Sequence, residues 1–259
     1  MTDLTLLIKT SSGRQIKQIG ELLEAEFENL DVVVKVLGNP ANKWVKVSLS
    51  GEDVVIATSY INKKIGTCPV SIEKVEDFSI LKGYISKVDT VSQELIVDVG
   101  VFEPKIIQAV IPLEYLQAQL CDDKKIALQK ISEIYGFKEK LPLIVKVLRL
   151  NEAKSAFQAE LSAEEIEKIR LRRQSFLDRL IILGSSIGEI EIVLERTRLN
   201  RDIIGTEALG MFEYALTCKL GTDAAGLVSI VGRYMRNSEI VVLNPRKIVD
   251  VIGESALIS

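Results

Sequence analysis

The sequence predicts an α+β protein in which two ferredoxin-like βαββαβ domains flank a small β-barrel. Three observations lead there. The first 76 or so residues read strand, helix, strand, strand, helix, strand, and the last hundred repeat that order. Between them lies a run dominated by alternating strands. The expected domains are 1–76, 77–162 and 163–259, the last opening with a linker helix.

In the first segment, LTLLIKT alternates as a strand. Ile16, Ile19, Leu22, Leu23 and Phe27 then recur on one helical face, with Ser12 and Gln15 spaced as a capping box. Two strands, DVVVKVLG and KWVKVSLS, are separated by a turn signal at Asn39-Pro40-Ala41-Asn42. A second helix from about Glu52 to Ile65 carries Lys63 and Lys64 in its last turn, where the helix dipole favours cations. CPVSIEKV closes the set as a fourth strand.

The central segment opens with GYISKVDTVSQELIVDVGVF, two strands with Leu95, Val97 and Val99 on one side. IIQAVIP, a helix near Lys124 to Tyr135 ended by Gly136, and the strands LPLIVKVLRL and SAFQAELS follow. The Gly-x-Ile opening at Gly83, the Val-Asp-Val-Gly strand end at Val97 and the Val-Lys-Val-Leu strand at Val145 leading to Glu160-Leu161-Ser162 are similar to the oligonucleotide-binding barrel repeated in a large ribosomal small-subunit protein. The resemblance implies an RNA-handling barrel. Where such barrels commonly present aromatic side chains for stacking, this sequence has Ser92, Gln93 and Leu95.

The third segment begins with a helix from Ala163 to about Ser175, boxed by Ser162 and Glu165. DRLIILG is a strand. SSIGEIEIVLERTR fits either period, and helix is preferred because Ser185 and Ser186 offer a cap. DIIGTEAL and FEYALTCKL form a hairpin around Gly210, TDAAGLVSIVGRYM a helix, and EIVVLNP the closing strand. KLGTDAAGLV looks like a phosphate loop, but Leu227 and Val228 stand where Lys and Ser or Thr are needed. It reads instead as a helix start capped by Thr222 or Asp223. The stretch from Arg201 to Pro245, with EALGMFEYALTCKLGTDAAGLVSIVGRYM at its centre, resembles the C-terminal part of an archaeal family known as domain of unknown function 2110, and the resemblance extends over most of the chain. It implies an archaeal cytoplasmic protein with this domain order, and brings no activity and no functional residue.

Composition narrows the function. The sequence contains no histidine, which removes the commonest general base and zinc ligand and makes catalysis an unfavoured class. Three distant cysteines, Cys68, Cys121 and Cys218, show no paired metal-ligand spacing and point to a reducing compartment. No cofactor is implied. Apolar runs such as LIIL at 180–183 fall far short of the ~20 residues that span a bilayer. With 33 basic and 36 acidic residues, nucleic-acid binding requires a local patch.

Two patches qualify. On the first sheet, alternation puts Val45, Val47 and Leu49 toward the helices and leaves Trp44, Lys46 and Ser48 on the open side with Lys9 and Lys35, a stacking surface among cations. The competing reading makes Trp44 an interdomain anchor. In the third segment Arg196, Arg198, Arg201, Arg233, Arg236, Arg246 and Lys247 are candidates for phosphate contact. Phe212 and Tyr214 share a face with Leu216 and Cys218 and read as core, with Glu213, Thr217 and Lys219 on the polar face opposite. The run Lys168, Arg170, Arg172, Arg173 reads as helix-stabilising charge after Glu164, Glu165 and Glu167. Glu133, Glu139, Asp122 and Asp123 form no evident catalytic pair. The expected function is a non-catalytic, cytoplasmic RNA-binding or ribonucleoprotein-associated factor, its partner single-stranded or structured RNA, with the ribosome or RNA polymerase as candidate hosts. The alternative is a protein-protein adaptor without nucleic-acid contact.

Overall fold

The computed structural model describes residues 1–151 and 155–253, with the backbone alone at 39–41. The chain forms two compact units, residues 1–75 with 99–107, and residues 76–98 with 108–259.

The N-terminal sheet contains β1 (Thr2–Lys9), β2 (Val33–Ala41) and β3 (Trp44–Ser50), with α1 (Gly13–Glu26) and α2 (Val54–Lys64) in the connections. Its order is β1-β3-β2, antiparallel throughout. Ser12 Oγ accepts the Gln15 N–H at 3.3 Å, as the capping box requires, while the Gln15 side chain reaches back to the Ser11 N–H at 2.8 Å. The hairpin turn sits at Asn42 and Lys43, both with positive φ, which is the two-residue geometry matched to strand twist. The turn signal at 39–42 is therefore displaced. Pro40 lies within β2, an edge strand, where a missing N–H costs no ladder bond. The fourth strand is reduced to Gly66–Cys68 beside β1, with Leu7 N–H donating to Gly66 O (3.0 Å) and Cys68 N–H to Thr5 O (2.8 Å). β4 (Val70–Ser71) then pairs with a barrel strand instead.

The barrel comprises β5 (Ile80–Asp89), β6 (Glu94–Glu103), β7 (Ile107–Pro112), β8 (Pro142–Asn151) and β9 (Ala156–Leu161), with α3 (Leu113–Leu120) and α4 (Leu128–Tyr135) between β7 and β8. The pairing order β6-β5-β8-β9-β7 returns to β6 and closes the barrel, with β7 and β9 parallel. Numbered within the barrel this is 1-2-3-5-4-1, a Greek-key closure of the oligonucleotide-binding type. The alternation that predicted these strands is physical: Leu143, Val145 and Val147 on β8, and Phe157, Ala159 and Leu161 on β9, are buried while their neighbours are more exposed.

After α5 (Ala163–Gln174) comes the second ferredoxin-like sheet, β10 (Arg179–Leu183), β11 (Ile203–Ala208), β12 (Glu213–Cys218) and β13 (Glu239–Leu243), in the order β11-β12-β10-β13 and antiparallel. The ambiguous stretch is helical, α6 (Ile187–Thr197). Ser186 N–H donates to Glu189 Oε2 at 3.0 Å, completing a capping box that an extended strand cannot form. With α7 (Ala224–Tyr234) it covers one sheet face, where Leu180, Ile182 and Leu216 meet Ile190, Val193, Leu227 and Val231. Burial of each such side chain contributes about 1.5–3 kcal/mol. The opposite face is closed too: Ile181, Ala215 and Leu243 are buried, and the end of α4 at Gly136 approaches Ile181 and Val241. A final helix, α8 (Pro245–Ile252), follows where the sequence suggested only the end of a strand. Among the described residues no helix is long and apolar enough to cross a membrane.

Candidate nucleic-acid interface

The sheet surface expected around Trp44 is corrected by burial. Trp44, Val45, Val47 and Leu49 are all fully buried and Ser48 nearly so, so β3 is covered on both faces. Strand alternation assigns side chains to opposite sides, but it does not decide whether either side meets water. Lys9 Nζ lies 4.7 Å from the Trp44 ring centroid, a cation on the aromatic face rather than a free phosphate contact. Lys46 is ion-paired with Asp3 at 2.8 Å, and Lys35 is exposed on edge strand β2. No base can stack on this tryptophan as it stands.

The basic residues of the C-terminal domain divide between the two ends of its sheet. Arg233 in the last turn of α7 and Arg236 just after it lie toward the end where β13 begins. Arg198, Arg201, Arg246 and Lys247 are exposed at the other end, where β12 finishes and α8 starts. Arg196 is shared with neither group, its guanidinium lying 5.9 Å from the Tyr234 ring centroid. The second end also gains Lys219, which sequence reading placed only as the polar face of a strand. Its backbone N–H donates to Asp202 O at 2.8 Å, bringing the Arg198–Asp202 turn alongside.

A cleft of about 200 Å³ opens there, lined by Phe176, Asp178, Lys219, Leu220, Thr222, Asp223, Asn244 and Arg246 among others. Each wall has a local cause. Asp223 caps α7 by accepting the Ala225 and Gly226 N–H groups at 3.0 and 3.2 Å. Asp178 Oδ2 accepts from Ala224 N–H (3.3 Å) and from Asn244 Nδ2 (3.4 Å), tying the start of β10 to the starts of α7 and α8. Gly221 has φ +87° in the turn closed by Thr222 N–H to Lys219 O, a conformation that favours glycine. Phe176 is the unusual member. It holds φ +52° and is 39% exposed, a bulky aromatic in left-handed backbone at the cleft mouth. Arg179 fixes the turn that presents it, its Nη1 donating to Arg172 O (2.9 Å), Ser175 Oγ (3.0 Å) and Leu177 O (3.3 Å).

The charges at this end are not explained by helix stability. In α5, Glu164 and Glu165 stand in the first turn and Arg172 and Arg173 in the last, as the dipole favours. In α8, Arg246 and Lys247 stand in the first turn, where the dipole opposes them. With Arg198, Arg201 and Lys219 they make five cations against the carboxylates of Asp178, Asp202 and Asp223. Most of these cations are legible in the sequence as candidates, whereas Phe176 and Lys219 are not. The available signal was Phe176 between a helix end and a buried strand.

Two of the basic residues of α5, read as helix-stabilising charge, also pair within the helix. Lys168 pairs with Glu164 at 2.7 Å and Arg170 with Glu167 at 2.6 Å. Phe212 is buried and Tyr214 packs against the helix-covered core. All three cysteines are buried and free, and burial pushes the Cys121 and Cys218 thiols up to about 11. Among the described residues no group of Cys, Asp and Glu side chains is arranged to hold a metal ion.

Fold and cleft define a multi-part α+β protein in which ferredoxin-like sheets accompany a barrel of the oligonucleotide-binding type. The chain belongs to the DUF2110 family: the DUF2110 N-terminal domain matches residues 4–71 and the DUF2110 C-terminal domain residues 177–243, nearly the spans of the two ferredoxin-like sheets. No curated protein matches the sequence. Among solved structures, an uncharacterized protein from Methanocaldococcus jannaschii aligns over 34% of this chain and 95% of its own at 9% identity and TM-score 0.24. The intact alpha subunit of aIF2 from Pyrococcus abyssi aligns over 66% of this chain and 97% of its own at 11% identity and TM-score 0.25. These likenesses are too weak to bear on function.

Proposed function

We propose that this chain is a non-catalytic RNA-binding factor of a ribonucleoprotein assembly, taking a single-stranded segment into the cleft at the Lys219 end of its C-terminal sheet. The observation that carries the reading is Phe176, an exposed aromatic held in left-handed backbone beside Lys219 and Arg246. Such an aromatic offers a face on which one base stacks, worth about 1–3 kcal/mol. Lys219 and Arg246 supply phosphate contacts, and Asp178, Thr222 and Asn244 supply donors and acceptors for a base edge. A sequence without histidine supports the non-catalytic part.

Fluorescence anisotropy with a labelled single-stranded RNA tests this on the full chain. Phe176→Ala is expected to weaken binding about 10-fold, corresponding to loss of one stacked base. Equal affinity of wild type and Phe176→Ala removes the cleft from the account.

A second reading, docking on another protein, has its own observation. Arg196 on α6 lies over the Tyr234 ring on α7, and Ile192, one turn before Arg196, and Tyr234 are 59% and 49% exposed. If no RNA binds, recovery of one stoichiometric protein partner that is lost with Ile192→Glu favours the adaptor.

A further inference from the structure

A second cavity, of about 140 Å³, lies among the barrel, α5 and the C-terminal sheet, away from the cleft just described. Its lining is evenly divided between polar and apolar surface, the apolar part coming from Leu141, Leu143, Ile169, Ile181, Leu209 and Leu243 among others. Five charged side chains also line it: Lys82, Glu165, Lys168, Arg172 and Glu207. Four of them are committed elsewhere. Arg172 makes a paired contact to Glu207, with Nε and Nη2 at 3.2 and 2.5 Å from its two carboxylate oxygens. Lys168 is held by Glu164 at 2.7 Å. Glu165 Oε2 accepts the Ile144 N–H at 3.1 Å, so the expected capping box is only half used, and its side chain crosses to β8.

Lys82 differs. It stands opposite Ile144 in the β5–β8 pairing, which places it beside Glu165, yet among the described residues its side chain makes no hydrogen bond or ion pair. The charged groups that face it are Glu213, Lys168, Glu165 and Glu164. Glu213 is occupied by Tyr84 and the Phe212 N–H. Burial holds the Lys82 ammonium below its ordinary value and the Glu165 carboxyl above its own, so the existing acids neutralise Lys82 incompletely.

The geometry points to a binding site for a small monocarboxylate with a short apolar body, anchored by Lys82. A cavity of this size has room for about six heavy atoms, since an apolar cavity of about 150 Å³ accommodates benzene. Lys82, the one uncommitted cation among the described residues that line the cavity, matches a single negative charge. A phosphate dianion brings a second charge toward Glu165 and Glu207 with no free cation to meet it. A neutral ligand leaves Lys82 as it is.

Butyrate, with four carbons and two oxygens, is the probe, and 1-butanol its uncharged counterpart. Titrating each into the full-length protein by calorimetry and amide NMR is expected to give saturable butyrate binding at least 10-fold tighter than 1-butanol, with shifts concentrated at the cavity walls. Lys82→Met, which removes a half-buried charge and keeps the stem, is expected to lose that preference. Leu209→Phe, which narrows the wall and leaves Lys82 in place, is expected to weaken both ligands. Equal binding of butyrate and butanol, absence of saturation, or an unchanged preference in a folded Lys82→Met protein overturns the site. Should Lys82→Met fail to fold, the two-ligand comparison on the wild type decides alone.

Discussion

The hydroxyl of Tyr84 on β5 meets Oε2 of Glu213 on β12 at 3.5 Å, with both side chains buried where barrel and C-terminal sheet join. Glu213 also accepts the Phe212 N–H at 3.3 Å, but desolvation dominates and pushes its carboxyl up to about 7. A carboxyl whose folded value exceeds its unfolded one makes the native state bind the extra proton. Its contribution is greatest near and below the ordinary glutamate value and is lost as pH rises through about 7. Glu213→Gln, which can accept the same two hydrogen bonds, is expected to raise stability at pH 8 by up to about 3 kcal/mol and to change it little at pH 4.5. Urea unfolding of both proteins across this range checks the sign. Parallel pH profiles contradict it.

Gly100 is a second position where the backbone dictates the residue. It has φ +76°, and a Cβ there stands 2.5 Å from Cys68 Sγ and 2.7 Å from Cys68 Cβ. Gly100→Ala is expected to cost about 2–4 kcal/mol, combining left-handed strain with overpacking. Adding Cys68→Gly should recover the packing part and leave the strain. Denaturant midpoints of the single and double variants measure this, and a neutral Gly100→Ala refutes it.

What the sequence made legible was mostly local. Ser12, Ser162, Ser186 and Asp223 all cap their helices, although the Glu165 half of the Ser162 box is spent on β8 instead, and the alternation in β6, β8 and β9 found the barrel interior. The failures share one cause. Trp44 was assigned to the correct strand but not to its surroundings, because period 2 carries no information about what covers a face. Glu213 looked like the polar side of a half-exposed strand, yet that side is closed within the same unit. Phe176 and Lys219, far apart in sequence, meet only through the antiparallel return of β12 beside β10.

The sole tryptophan reports its own placement. With Trp44 fully buried under Lys9, its emission is expected to be blue-shifted and resistant to acrylamide, and to stay unchanged when RNA is added. A water-like spectrum that RNA quenches would restore the open-sheet surface.

Arg179 positions Phe176 without lining the cleft. Arg179→Met removes three donated hydrogen bonds from a buried guanidinium and frees the Arg172–Leu177 turn. Stability should fall by about 2–3 kcal/mol. RNA affinity should fall as well, under conditions where circular dichroism shows the variant folded. Unchanged affinity separates the turn from the function.

The most direct measurement is the salt dependence of RNA binding. Each phosphate neutralised by a side chain releases counterions and contributes about −0.7 to the slope of log affinity against log salt for single strands. For the full chain and its Lys219→Ala/Arg246→Ala variant, binding to one labelled single strand should be followed between low and moderate salt. The account predicts a steep wild-type slope that becomes shallower by about 1.4 in the variant. A wild type that binds no RNA, or two proteins with the same slope, contradicts it.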